Sequence, residues 1–390
     1  MGRSRIAVIG AGPVGLEAAL HAARAGHDVQ VLEAGRIGDN VLRWGHVRLF
    51  SPFGMNVSAL GAATVAEGGR TLPAAGEYLT GRELVESYLV PLARSAPLAG
   101  RVRETVRVVA VGRERLGKGT AFGAARERFP FRLLLDTPGG EAVETADVVI
   151  DASGTYGRPN WLGDGNIPAP GERALASRID YTLPDLAHES ERLAGRRVLV
   201  VGSGYSAATV LDGLVGQPRI EIVWVTRHEG RTPYTVLADD PLPERARLAR
   251  RGNGLADGSD RRVEFRDSTV VESLADRGAR IVATLRGPQG RETVDVDRIL
   301  AHVGFSPDNS LYRELQVHEC YASFGTMALA AALLEDGASD CLAQTSKGAE
   351  TLRNPEPGFF VLGAKSYGKN SSFLLRIGIA QVEDALTLVA

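Results

Sequence analysis

Two glycine-rich turns carry the residue types whose spacing points to chemistry. Gly10-Ala11-Gly12-Pro13-Val14-Gly15 has the G-x-G-x-x-G spacing, after the apolar run Ile6 to Ile9 and before the Ala-rich stretch Leu16 to Ala25. In such a turn Gly10 permits the tight reversal. Gly12 lets the backbone approach a diphosphate, and Gly15 lets helix and strand pack closely. The helix N-terminus then faces the phosphates with partial positive charge. Glu33 ends the next apolar run, 21 residues after Gly12, where a carboxylate accepts hydrogen bonds from ribose hydroxyls. Gly10, Gly12, Pro13, Gly15 and Glu33 are therefore cofactor-binding candidates.

Gly202-Ser203-Gly204-Tyr205-Ser206-Ala207 repeats the pattern, with Ala207 in the third small position. The run after it ends in Thr226-Arg227, not in an acid. An acid there repels a 2′-phosphate, whereas a guanidinium attracts one, and Arg231 offers a second anion contact. The alternative for Arg227 is a solvated strand-end residue. Gly202, Gly204, Tyr205, Ser206, Ala207, Arg227 and Arg231 are the candidates of this second turn. Two turns with unlike markers imply two cofactors. The acid-terminated fold suits FAD and the basic one NADPH, with hydride passing from nicotinamide to flavin.

The elements that must position these turns follow from periodicity. Ile6–Ile9 and Val29–Glu33 read as buried parallel strands flanking a helix over Leu16–Ala25, which Gly26 stops. Arg197–Val201, Ser206–Leu214 and Ile220–Thr226 repeat strand, helix and strand. Between them, Arg101–Ala110 and Phe131–Asp136 read as antiparallel strands and Ala146–Asp151 as an apolar one; Gly157–Gly171 reads as a Pro/Gly-rich linker. A second meander is expected over Arg262–Val294, then strands at Arg298–Val303 and Phe359–Leu362 and a terminal helix over Ile377–Leu388. A lone final strand and helix cannot bury a core, so the expected connection is nested. The fold class is α/β: two Rossmann-like three-layer dinucleotide-binding domains, the NADPH domain inserted into the FAD domain. The expected bounds are 1–157 and 297–390 for the FAD domain and 158–296 for the NADPH domain.

The composition excludes several alternatives. The 390 residues suffice for two or three domains without staples. A formal net charge of −2 gives no global footprint for nucleic acid or an anionic membrane, so neither partner is expected. The run Arg245, Arg247, Arg250, Arg251 reads as a solvated helix face. The two cysteines, Cys320 and Cys341, are too few for a disulfide scaffold or a Cys-rich zinc site, and they form no CxxC; no metal is expected. They leave open a redox pair, with His318 beside Cys320, against the plainer reading of buried unpaired thiols. Low cysteine use fits a reducing compartment, and a cytoplasmic location is expected. No apolar run reaches the length of a membrane span. The N-terminal apolar run breaks at glycine and lacks a small-residue cleavage site, so it does not read as a signal peptide.

At this point the sequence resembles the two-dinucleotide-binding-domain flavoproteins, which include flavin-containing monooxygenases, N-hydroxylases, Baeyer–Villiger enzymes and thioredoxin-reductase-like enzymes. The resemblance rests on Gly10–Gly15 with Glu33, Asp151-Ala152-Ser153-Gly154 before Pro159, Gly202–Ala207 with Arg227, and Phe359–Gly363 before a final helix. It implies that Ser153 and Gly154 form the turn leading towards the NADPH domain. It also implies that Gly363 and the helix near Ile377 face the flavin, and that Asp39–Ser58 lies beside the isoalloxazine. Trp44 would then cover a ring face, while His46, Arg48 and Ser51 line the reactive edge. Lys365, Tyr367, Lys369 and Asn370 are reachable from the same side. The catalytic candidates are His46, Ser51, Lys365, Tyr367 and Asn370.

The sequence also departs from the family's patterns. Ser177 stands where monooxygenases of this group carry a histidine, Ser51 where they carry an asparagine, and Gly363-Ala364-Lys365 where many members have Gly-Asp. The resemblance implies an FAD- and NADPH-dependent monooxygenase in which O2 adds at flavin C4a and oxygen passes to an amine nitrogen or sulfur of a small molecule. Its alternative is an NADPH-dependent reductase or dehydrogenase acting on a thiol, disulfide or other small oxidant. A third reading is a non-enzymatic nucleotide sensor. Members are often dimers, so a homodimer is expected by analogy alone.

Overall fold

The computed structural model describes residues 2–336, 342 and 344–389. Cys341 lies outside the described residues. The chain forms two units, Met1–Arg158 with Ser306–Ala390, and Pro159–Phe305.

The first unit is built on a five-stranded parallel sheet. Its strands are β1 (Arg5–Ile9), β2 (Asp28–Leu32), β3 (Val102–Arg103), β7 (Val148–Asp151) and β16 (Phe359–Val361), in the order β16-β7-β1-β2-β3. β1 and β7 are near-continuous apolar runs because both faces of the sheet are covered. The helices Pro13–Arg24 and Leu375–Leu386 pack on one face, where Val8, Leu16, Ile150 and Val382 are buried together. A three-stranded antiparallel meander, β4 (Arg107–Arg113), β5 (Phe131–Thr137) and β6 (Gly140–Ala146), covers the other. Phe131, Leu133 and Leu135 point inward from β5 at period two.

The stretch Arg101–Ala110 is not one strand. Thr105 takes a φ of 57°, and the Glu104 carboxylate accepts the Ile37 N–H, so the chain breaks there. Its first half joins the parallel sheet as β3 and its second begins the meander. A buried ion cluster ties the meander to the C-terminal segment: Glu356 accepts from both Arg113 and Arg126, and all three are buried.

The second unit holds β8 (Ile179–Asp180), β9 (Arg197–Val201), β10 (Glu221–Val225), β11 (Val263–Arg266) and β15 (Arg298–Ala301), parallel in the order β11-β10-β9-β15-β8. A meander of β12 (Val270–Arg277), β13 (Arg280–Gly287) and β14 (Gly290–Val296) packs on one face. The expected boundary at 296 is corrected. β15 pairs in parallel with β9 and β8, so this unit runs to Phe305. The expected linker Gly157–Gly171 is also corrected. The buried Glu172 carboxylate accepts the N–H groups of Leu162 and Ala169, and both side chains enter the core. The arginine run on the helix Pro243–Ala256 is not simply solvated, since Arg245 is buried against Asp240 and Arg247 pairs with Glu244 and Asp212. Among the described residues, no helix is long and apolar enough to cross a membrane.

Candidate functional site

Each parallel sheet reverses its strand order beside the strand that leads into its glycine turn. In the first unit the reversal lies between β1 and β7, in the second between β9 and β15. Crevices at the carboxyl ends of strands at such reversals are where open α/β sheets bind ligands. Both glycine turns sit there.

In the first turn Gly10 has φ 100°, and a Cβ on it would stand 2.9 Å from the Ala152 carbonyl oxygen. A Cβ on Gly15 would come within 2.0 Å of the Gly10 oxygen. These two glycines are required by the chain itself. Gly12 is different: a Cβ there would meet nothing within 4 Å. It caps the helix Pro13–Arg24 without any side-chain hydrogen bond to the first-turn N–H groups. An open approach to an uncapped helix N-terminus fits a diphosphate. Glu33 does more than end a strand: its Oε2 accepts the Ala11 N–H at 2.7 Å and its Oε1 the Gly35 N–H at 2.7 Å.

The second turn has the same logic with other fastenings. Gly202 has φ 127°, and its Cβ would lie 2.2 Å from the His302 oxygen. Gly204 caps the helix Tyr205–Val215, again with open space above it and no side-chain cap. Ala207 is fully buried behind the turn, and Ser206 is exposed. The Trp224 indole N–H donates to the Gly202 carbonyl at 2.8 Å, and the Tyr234 hydroxyl donates to that of Gly204 at 3.3 Å. The Tyr205 and Tyr234 rings are 5.8 Å apart. Arg227 is exposed beyond β10 and touches Asn166 at 3.2 Å. Arg231 gives one N–H to the Ala256 carbonyl at 2.8 Å.

Sequence reasoning missed His302, whose apolar neighbours carry no ligand pattern. It follows β15 at the same reversal, and its N–H donates to the Val201 oxygen. Burial pushes its imidazole down to about 4, so it is neutral near pH 7, and its Nε2 has no hydrogen-bond partner.

The remaining candidates of the first unit separate into two groups. Ser153, Gly154, Gly363 and Lys365 gather at the carboxyl ends of β7 and β16. Ser153 Oγ donates to Asp151 Oδ1 at 2.7 Å, and Lys365 Nζ reaches Asp151 Oδ2 at 2.6 Å and Ser153 Oγ at 3.1 Å. Gly154 takes φ 72°, and Gly363 takes φ 72° with its N–H on Gln381. The sequence placed Lys365 and Tyr367 on a reachable polar loop; the structure buries both. Lys365 is buried because Asp151 supplies its counter-charge. Tyr367 packs edge-on against Phe373, and burial raises its hydroxyl to about 12. Ile377 is buried in the core, so it supports the terminal helix rather than facing outward.

The other group is more dispersed. His46 is exposed. Ser51 is buried and donates to Asn56 Oδ1 at 2.8 Å, so an asparagine does stand beside this loop, five residues on from the expected position. Trp44 is half-buried with its ring 6.3 Å from that of Tyr156, and its Nε1 has no partner. Asn370 accepts from Ser372, so its carbonyl oxygen closes a local turn.

A family model described as pyridine nucleotide-disulphide oxidoreductase matches residues 7–117. No curated protein matches the sequence. Solved structures do. The bacillithiol disulfide reductase of Bacillus cereus is 17% identical with a TM-score of 0.71, covering 99% of each chain. The thioredoxin reductase of T. acidophilum is 14% identical, TM-score 0.63, covering 99% of this chain and 97% of that one. The ornithine hydroxylase of Pseudomonas aeruginosa is 16% identical, TM-score 0.65, covering 99% of each. Identities this low establish shape, and the chain accordingly has the fold of the two-dinucleotide-binding-domain flavoproteins, reductases and monooxygenases alike.

Proposed function

We propose that the chain is an FAD-dependent, NADPH-consuming oxidoreductase acting on a small molecule. One observation carries this reading: two uncapped helix N-termini, each open above its central glycine, stand at two strand-order reversals, one held by Glu33 and one bonded to the end of β10, which Arg227 follows. FAD, when bound at the first turn, supplies two-electron chemistry. The residues of the chain bind and orient. Gly12 and Gly204 admit the diphosphates, Glu33 holds the first turn and accepts from sugar hydroxyls, and Arg227 pairs with a 2′-phosphate. Purified protein should be yellow, or become so with added FAD, and should then oxidise NADPH. A colourless chain that ignores FAD sinks the reading, and tight FAD binding with negligible NADPH oxidation leaves the nucleotide-sensor reading instead.

Within this class we favour oxygenation of an amine nitrogen or sulfur. The described cysteine, Cys320, is a free buried thiol in a turn with Ser323, and no CxxC exists to relay electrons to a disulfide. Oxygenation requires that NADPH consumption with substrate and O2 release less hydrogen peroxide than NADPH consumed. Stoichiometric peroxide with every amine and thioether tried excludes it. The reductase reading draws support from the full-length likeness to a bacillithiol disulfide reductase. It predicts NADPH oxidation by a low-molecular-weight disulfide without oxygen.

A further inference from the structure

We propose that Asn166 is a specificity residue of the second unit: it positions the Arg227 guanidinium and adds its own amide donors to a subsite for the 2′-phosphate of NADPH. The proposal rests on the NADPH reading above and extends it to a loop 61 positions away in the chain.

The Gly202 N–H donates to the Val225 oxygen at 3.0 Å, so the end of β10 touches the glycine turn two residues before Arg227. In dinucleotide folds, side chains near this strand end distinguish a 2′-hydroxyl from a 2′-phosphate. Arg227 is exposed, and a free arginine has many rotamers to lose when it grips an anion. Its Nη1 donates to Asn166 Oδ1 at 3.2 Å, which removes part of that freedom beforehand. Asn166 is itself firmly placed. It lies between Leu162 and Ala169, whose N–H groups are each held at 2.8 Å by the buried Glu172 carboxylate. Gly163 bridges to Val271, and a Cβ on it would stand 2.3 Å from the Ile167 oxygen, so the loop closes tightly.

Charge explains why an asparagine stands here. Among the described residues no carboxylate pairs with Arg227. Asp164, in the same loop, pairs with Arg286 at 2.6 Å, and Asp267 accepts the Gly230 N–H at 2.8 Å. Residue 166 has φ 61°, a conformation that Asn, Asp and Gly adopt most readily. Of these, Asp would neutralise the guanidinium and Gly would hold nothing. Asn supplies an acceptor and leaves the positive charge whole. The amide is also turned the right way. A guanidinium only donates, so Oδ1 faces it and the Nδ2 hydrogens stay available on an exposed side chain. Two neighbouring side chains then present donors, which suits a phosphate.

The test measures, by calorimetric titration of the full chain, the affinities for adenosine 2′,5′-bisphosphate and for 5′-AMP, which differ only in the 2′-phosphate. Circular dichroism confirms folding first, and glycine is the chosen replacement because it accepts φ 61° without strain. The parent should prefer the bisphosphate. Asn166→Gly should cut that preference about threefold or more and Asn166→Asp about tenfold or more, with 5′-AMP affinity within about twofold of the parent. A glycine variant that keeps the parent's preference overturns the proposal, even where the aspartate variant weakens it, because an added anion repels phosphate from any nearby position. Equal loss of both ligands also overturns it, since the loop is then a brace for the whole site. Arg227→Ala separates this proposal from the reading it rests on. If that variant loses the preference while Asn166→Gly keeps it, this proposal alone fails. A parent without the preference, or a preference that survives Arg227→Ala, overturns the 2′-phosphate reading and this proposal together.

Discussion

The two glycine turns share a spacing but are fastened by different chemistry. The first is stapled by a carboxylate, with Glu33 accepting two backbone N–H groups at 2.7 Å. The second is held through its carbonyls by aromatic donors, Trp224 on Gly202 and Tyr234 on Gly204. An acceptor staple leaves a negative charge beside the turn, which sugar hydroxyls tolerate and a third phosphate does not. Donor staples leave no anion, and Arg227 then makes the second site basic. On the proposed reading the fastening would thus be part of the selectivity.

The largest effect on the first turn is expected from Gly12→Val. A Cβ there meets no atom within 4 Å, so the fold should survive while FAD affinity falls on the order of a hundredfold. Titration with FAD and a melting curve separate the two effects. Gly15→Val, by contrast, should lower the melting temperature itself, because its Cβ would stand 2.0 Å from the Gly10 carbonyl oxygen.

His302 gives the next effect. Its folded pKa of about 4 lies below the ordinary 6.5, so the unfolded chain binds this proton first as pH falls. The stability it contributes is complete above about pH 6.5 and is lost between there and pH 4, by up to about 3 kcal/mol. Urea unfolding of His302→Leu should lack that part of the slope. An identical slope in both proteins contradicts the buried neutral imidazole.

Arg227→Ala should raise the KM for NADPH roughly tenfold or more and that for NADH by less than about twofold. Equal changes for the two nucleotides mean that Arg227 reads no 2′-phosphate. The smallest effect is expected from Trp224→Phe, which keeps the packing but removes the donor to Gly202. It should cost about 1 kcal/mol in unfolding free energy and leave FAD affinity unchanged. A matching loss in FAD binding contradicts separate fastening of the two turns.

Both glycine turns were legible in the sequence because their demands are local. Gly10 and Gly202 need positive φ, and Gly15 needs a missing side chain against Gly10, five residues earlier. β15 was legible as a strand but not in its sheet, since the apolar run Ile299 to Ala301 fits either parallel sheet equally well. The Lys365–Asp151 pair joins residues 214 positions apart, and nothing in either local pattern announces the other. Glu172 directly follows the Pro/Gly-rich stretch Gly157–Gly171. Its role as acceptor for two buried N–H groups exists only after the chain has curled around it.

The parallel sheet of the first unit takes its outermost strand, β16, from near the end of the chain, against the edge of β7. On a ribosome, that edge emerges long before its neighbour. At ordinary elongation rates the nascent β7 waits roughly ten to forty seconds for Phe359–Val361, while every strand of Pro159–Phe305 has already appeared. The inserted unit can therefore mature first. The exposed edge it leaves waiting is where a chaperone, or a stray strand from another polypeptide, gains its opportunity.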